Sequence, residues 1–482
     1  MCQMDVKIGI CNYKSVSQAE IHLKPGLTIL VGPNGAGKTC LLSSLQFLAH
    51  LYRFGVAQAV ARQGGARRVF HHGQPEIAFC LEQDYGRRTY RRRKIPCTFR
   101  WKVTISQAGR DKIATIVRES FEIIGKRGEE DVTLFTLDVD RAGDKPRVRG
   151  QLSLKNEFGS DLFSCWGEAM GTKKKKKDVA EEFRSGPLRF IVGQLSRDKD
   201  QSCFPLVVAL DSVLRDVWSS FLSLSQYNIL PDVARLSAEQ LPYAQMAPDG
   251  RSVSEVIDAL EHRRYDKLEP LSFMDADYKM CGATPYLPGH GGTWFRYYAF
   301  PRRMPPRNRQ AAHYASVLES INRELSAAVW PISAVSVEID PTNGRRFVVF
   351  KAGEETFHPE EVSDGTVKWL CILVSLFVPF SRVYLIEEPE NFLHPWMQQR
   401  LIELMREQAK LHGTTFLLST HSATVLNAAH PEEILVVRQT DAGTTLSAIV
   451  DIDDIRNVLA ESGFHLGDLW VSGAMGGVPG GE

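Results

Sequence analysis

The chain has 482 residues, 43% of them hydrophobic, which is enough for a large core in two or three units and too apolar for a disordered protein. Lys+Arg 58 against Asp+Glu 57 leaves a net charge of +1, so bulk charge selects neither nucleic acid nor a membrane surface, and any such contact has to come from local patches. Nine cysteines without a CxxC pair speak against a zinc or disulfide framework and for free thiols in a reducing compartment. There is no basic, apolar, small-residue leader, and no apolar run approaches the roughly 20 residues of a membrane helix. The expectation is a cytoplasmic chain with no membrane partner.

Along the chain, "DVKIGICNYKSV" and "AEIHLKPGLTILVG" alternate at period two and predict strands, closing on a short apolar run from Thr28 to Val31. After Gly37 the period changes. Leu41, Leu42, Leu45 and Leu48 fall at helical spacing, so the order is strand, glycine loop, helix. "EIAFCLEQD", "RKIPCTFRWKVTIS" and "KIATIVRESFEII" predict an antiparallel region, which completes a first unit over residues 1–141. Residues 142–179 are polar and contain five consecutive lysines, Lys173 to Lys177, which repel one another and predict a solvated, flexible loop.

Residues 180–334 read as a mainly helical insert, from "PLVVALDSVLRDVWSSFLSL", "VSEVIDALEHRRYDKL" and "AAHYASVLESINRELSAAV". From 335 to 440 strands and helices alternate: "AVSVEID", "RFVVFKA", a helix Thr366–Phe377, a strand Val383–Ile386, a helix Trp396–Leu411, and strands Thr415–Ser419 and Ile434–Val437. That alternation predicts a mainly parallel sheet, followed by an extension over 441–482. No internal repeat is visible.

Gly32-Pro33-Asn34-Gly35-Ala36-Gly37-Lys38-Thr39 fits GxxxxGK[ST] between a predicted strand and a predicted helix. Glycines let backbone N–H groups turn toward phosphate oxygens, and a helix N-terminus adds partial positive charge. Lys38 would bridge the β and γ phosphates, and the Thr39 hydroxyl would ligate Mg2+. Cys40 extends this cofactor-binding set into the helix. "VYLIEEPE" is an apolar strand ending in Glu387 and Glu388; a parallel sheet gathers such ends on the ligand side. Phosphoryl transfer needs charge neutralisation and an aligned water, so Glu387 takes the metal side and Glu388 the water. In "TTFLLSTHSATVL", His421 follows the next strand as a candidate γ-phosphate sensor. In "EEVSDGTVKWLCILVSLF", Ser363 and Gly365 precede a helix and could bind a second anion.

The order of phosphate loop, "VSDGT", "LIEEPENFLHP" and "STHS" resembles the ABC-type ATPase heads of the RecF, SMC and overcoming-lysogenization-defect class, often called AAA-family ATPases. The resemblance covers about residues 1 to 85 and 335 to 440. It implies an α/β P-loop NTPase with a mixed or parallel central sheet, an antiparallel β region and a helical insert, using ATP and Mg2+. In that class two heads close around nucleotide, so Ser363 and Gly365 would act on the partner's ATP. Glu387 matches the metal-side acid, Glu388 the catalytic base, His421 the switch histidine, and "PENFLHP" the loop that communicates across the dimer.

Two departures concern the motifs. The signature reads Val-Ser-Asp-Gly-Thr where transporters have Leu-Ser-Gly-Gly-Gln, and the metal-side acid is Glu. The Mg2+-contacting glutamine is assigned to Gln63, with Gln74 the alternative. A transporter subunit is disfavoured by the large insert, and an SMC arm by the absence of long heptads and a CxxC hook. No Toprim nuclease is expected after His421, since "DIDDI" from Asp451 alone makes no metal site. The resemblance implies a homodimer or higher oligomer working as a sensor in anti-phage defence beside a separately encoded effector, with a DNA-repair clamp as the rival. Two basic stretches, Arg87 to Lys94 and Arg296 to Arg309, are candidate nucleic-acid contacts.

Overall fold

The computed structural model describes residues 5–90, 93–108, 113–143, 146–152, 198–204, 224–238, 244–264, 268, 314, 316–378, 381–441, 443–449 and 452–473. The lysine run, residues 205–223 of the helix expected at 205–224, and the basic stretch 296–309 lie outside them.

Strands β1 (Val6–Tyr13) and β2 (Val16–Leu23) form a hairpin and alternate buried and exposed, as the period-two pattern requires. They edge a seven-stranded antiparallel sheet. Its other members are β4 (Glu76–Tyr90), β5 (Arg93–Ala108), β6 (Ile113–Arg127), β7 (Glu130–Asp140) and β8 (Arg147–Leu152), in the order β2-β1-β4-β5-β6-β7-β8. Of the basic stretch Arg87 to Lys94, residues 87–90 end β4 and residues 93–94 begin β5, on paired strands, while 91 and 92 lie outside the described residues. The sheet runs past the expected boundary at residue 141, because β8 pairs with β7. With Arg147, Arg149 and Gln151 alternating with smaller or apolar residues, that strand resembles the polar loop after it.

The second sheet has the order β16-β15-β3-β14-β13-β9: β3 (Gly26–Val31), β9 (Ser225–Tyr227), β13 (Val383–Glu387), β14 (Thr415–Thr420), β15 (Ile434–Thr440) and β16 (Gly443–Ala448). All neighbours are parallel except the β15–β16 hairpin. Strand β16 therefore carries this sheet beyond the expected end at 440. Its central strands are apolar on both faces because each face packs a separate core. Leu30, Leu385 and Leu417 point to the core shared with α1 (Lys38–Phe54) and the antiparallel sheet. Ile29, Ile386 and Leu418 point to the core shared with α7 (Asp364–Phe377) and α8 (Pro395–His412).

Strands β10 (Ala334–Ile339), β11 (Arg346–Ala352) and β12 (Glu355–Phe357) make a third, antiparallel sheet and take no part in the parallel one expected there. The reason lies in their links. Six residues join β10 to β11 and two join β11 to β12, lengths that close hairpins but cannot carry a parallel crossover.

Helices α2 (Val56–Arg62) and α3 (Ala66–Val69) follow α1. The described part of the insert is built into the same sheet and core: β9 edges the central sheet, while α4 (Pro231–Ala234), α5 (Val253–Glu261) and α6 (Val317–Ala328) contribute to the second core. Trp369 of α7 donates its indole N–H to the Glu324 carbonyl of α6 at 3.3 Å. Arg400 of α8 forks onto the Glu324 carboxylate with two bonds of 2.9 Å. After β14 come α9 (Ala423–Asn427) and, beyond β16, α10 (Ile452–Ser462) and α11 (Leu466–Val471).

Candidate functional site

The register of the parallel strands brings the two distant halves of the sequence together. Val31 of β3 pairs with Thr420 of β14, and Ser419 of β14 with Glu387 of β13. Gly32, His421 and Glu388, each the residue that follows its strand, thus leave the sheet along one edge, at the carboxyl ends where α/β sheets bind ligands.

The phosphate loop is shaped by what surrounds its glycines. A Cβ on Gly32 would stand 2.3 Å from the Val437 carbonyl oxygen of β15. Gly37 has φ 101°, and a Cβ there would meet the Thr444 hydroxyl of β16 at 2.2 Å. Thr444 is itself held by Ser15 and Gln439, at 2.9 and 3.0 Å. The β15–β16 hairpin is thus the wall against which the loop is formed. Pro33, Asn34 and Gly35 arch outward while Ala36 is buried beneath them. Helix α1 starts at Lys38 without a side-chain cap and without an acidic residue in its first turn, which carries exposed Thr39 and half-buried Cys40. Its orphan N–H groups and positive dipole end suit an anion. Lys38 bonds back to the carbonyls of Gly32 and Pro33 at 2.8 and 3.1 Å. Burial lowers the pKa of its ammonium, opposed by the charges of Glu388 and Glu390.

Glu387 and Glu388 end β13 in different environments. The Oε1 atom of Glu387 is buried and has no hydrogen-bond partner among the described residues, an orphan position that a cation would satisfy. Glu388 turns away through a left-handed backbone of φ 40°, its N–H bonded to the Ser419 carbonyl at 3.0 Å. Its carboxylate receives the Asn391 amide at 2.9 Å and lies 3.4 Å from His421 Nε2. The pKa of His421 is lowered by burial and by Lys38, with Glu388 and Glu390 opposing. Lys38, Glu388, Glu390 and His421 therefore share one electrostatic neighbourhood.

Glu390, which the motif reading passed over, organises this cluster. It is 8% exposed and accepts bonds from the Thr420 hydroxyl at 2.6 Å and the His421 N–H at 2.8 Å. Lys368 of α7 was missed too: it is 4% exposed, and burial lowers its pKa to about 8 against the pull of Glu390 and Glu388. A lone lysine in the apolar run after Thr366 and a third acid in "EEPEN" were the available signals.

Gln63 ends α2 and accepts a 2.8 Å bond from Lys14 Nζ. Lys14, in the β1–β2 turn, also donates to Ser43 at 3.1 Å. Its pKa is lowered by burial, with Cys40 and Glu387 opposing, so Gln63 is joined to the Glu387 side of the site through Lys14. Gln74 is exposed. Nothing in the residues around Lys14 marks it in the sequence, since a turn lysine is ordinarily solvated.

Ser363 caps α7 by accepting the Thr366 N–H at 3.2 Å. Gly365 is required by close approach: a Cβ would lie 2.4 Å from the Phe392 carbonyl oxygen. Arg235, just after α4, bonds the Pro359 and Val362 carbonyls at 2.8 and 3.0 Å and pairs with Asp364 at 2.6 Å, clamping this turn from the insert.

Two protein-family models match the chain. A protein-family model described as "AAA ATPase domain" matches residues 4–143. One described as "AAA domain, putative AbiEii toxin, Type IV TA system" matches residues 286–427. The two matches fall on the two halves of the chain that carry the site, and together with the relatives below they support an ABC/AAA ATPase of the RecF/SMC class.

Among curated relatives, a DNA replication and repair protein RecF of Corynebacterium jeikeium is 42% identical over 59 residues, 12% of this chain and 14% of that one. The RecF of Phocaeicola vulgatus is 23% identical over 227 residues, 40% of this chain and 58% of that one. The chain thus spans well under two thirds of the length of these relatives. Among solved structures, an SMC head bound to the C-terminal winged-helix domain of ScpA aligns at 12% identity and a TM-score of 0.44, covering 93% of this chain and 99% of that one. No described helix is long and apolar enough to cross a membrane.

Proposed function

We propose that the chain binds and hydrolyses ATP and uses the nucleotide to close a homodimer, or a higher oligomer built on such pairs, acting as a sensor or regulator. The observation that carries this is the shared strand-end edge where Glu388 and His421 meet within the field of Lys38, beside a Glu387 carboxylate oxygen that is buried and, among the described residues, unpartnered. The phosphate loop, Gly32 to Thr39, holds the phosphates, with Lys38 supplying the charge. Thr39, Glu387 and Gln63 are the groups that would hold Mg2+, which when bound neutralises phosphate charge. Glu388 accepts the proton of the attacking water, with His421 beside it to sense the γ-phosphate. Ser363 and Gly365, on the exposed start of α7, bind the nucleotide of the second subunit.

The biological setting follows from two different observations. The toxin and type IV TA wording of the second family description is in keeping with a defence setting, in which the chain would act beside a separately encoded effector such as a nuclease. The RecF relatives support a DNA-repair clamp that holds DNA itself. Light scattering with and without Mg-ATP tests the dimer. Glu388→Gln should double in mass with ATP and hydrolyse about 100-fold more slowly; a variant that stays monomeric or keeps the wild-type rate would overturn this assignment. Co-purification with a neighbouring gene's product favours the sensor, and salt-sensitive binding of bare DNA favours the clamp.

A further inference from the structure

Lys368 is the single charged side chain in the apolar run from Thr366 to Phe377. Burying an ammonium costs stability that a methionine of similar volume would not, so its contacts must explain it. Its Nζ donates to the backbone carbonyl of Glu388 at 3.3 Å and lies 5.7 Å from the Phe392 ring centroid. The second oxygen of Glu390, Oε2, is buried and has no hydrogen-bond partner among the described residues.

The turn that Lys368 touches is unusual. Glu388 and Phe392 both have left-handed backbones, φ 40° and 69°, which residues with side chains adopt only when their surroundings impose it. Helix α7 meets both. Lys368 takes the Glu388 carbonyl, and the bare Cα of Gly365 packs under the Phe392 carbonyl. The start of α7 is therefore a mould for the turn that carries the catalytic carboxylate.

We infer that Lys368 is a positioning residue: it holds the Glu388 backbone in its left-handed conformation and so ties the Ser363–Gly365 turn to the carboxylate of the same subunit. This rests on Glu388 being the base. An event at Ser363, where the second subunit's nucleotide is proposed to bind, then reaches Glu388 through one rigid helix turn and one hydrogen bond.

The test compares steady-state hydrolysis, ATP affinity and thermal stability of the full-length chain with Lys368→Met, Lys368→Arg, Glu388→Gln and the Lys368→Met/Glu388→Gln double variant. Lys368→Met should lower kcat about 10-fold or more while KM and ATP affinity stay within about twofold, because misplacement of the base is felt only in the chemical step. Lys368→Arg should recover much of that loss. In the Glu388→Gln background Lys368→Met should cause no further loss, since it acts through the group already removed.

Normal kcat in Lys368→Met, or an equal loss in both backgrounds, would overturn the inference. Loss of ATP binding and thermal stability together, unrescued by arginine, would reduce Lys368 to a packing residue and overturn it as well. If Glu388→Gln itself hydrolyses ATP normally, the base assignment fails and takes the inference with it. A slow Glu388→Gln beside a normal Lys368→Met defeats the inference alone.

Discussion

The phosphate loop and the acidic turn from Glu387 to Phe392 stand at the ends of nearby strands, yet they are held in opposite ways. The loop's own contacts are mostly backbone: its glycines are forced by a carbonyl of β15 and a hydroxyl of β16, and Lys38 bonds to carbonyls of its own loop. The acidic turn is a network of side chains from separate elements. Thr420 and His421 hold Glu390, Asn391 holds the Glu388 carboxylate, and Lys368 holds the Glu388 carbonyl. A backbone cradle binds its ligand whether or not the neighbouring network is intact, while a side-chain network places one reactive group and does little for affinity.

That contrast can be broken by experiment. The largest effect should come from the loop: Lys38→Ala is expected to remove detectable nucleotide binding in calorimetry, and unchanged ATP affinity would contradict the site. Glu390→Gln should lower kcat about 10-fold, because the Thr420 and His421 bonds that orient the turn weaken, while ATP affinity stays within about twofold. A binding defect there as large as that of Lys38→Ala would erase the distinction.

The smallest effect concerns pH. The folded state lowers the pKa of Lys368 from 10.5 to about 8, so between those values the unfolded chain holds a proton the folded chain has released. Wild type should therefore gain stability relative to Lys368→Met as pH rises through that window, by roughly 1–3 kcal/mol, with no change in the difference below it. Urea unfolding of both chains at pH 7, 9 and 10 would measure it, and parallel curves would mean that the ammonium is not held in the dry environment described.

Much of the site is legible from residue order. Gly32 to Thr39, Glu387, Glu388, His421 and Ser363 stand in short segments whose chemistry follows from local pattern: a strand, a turn with exposed polar atoms, a helix start. Strand β8 was less legible because its alternating arginines resemble the charged stretch that follows. The third sheet was misplaced because strand propensity says nothing about which strand is the partner, and only the short links between β10, β11 and β12 decide it.

By itself the sequence determined the phosphate loop, the apolar strands of the central sheet and the residues that end them, since each depends on neighbours within a few positions. Tertiary structure alone decided the roles of Glu390, Lys368, Lys14 and Arg235. A charged side chain is ordinarily solvated, and only the register of distant strands and the packing of α7 against the acidic turn put these charges where water is excluded and a specific partner is within reach.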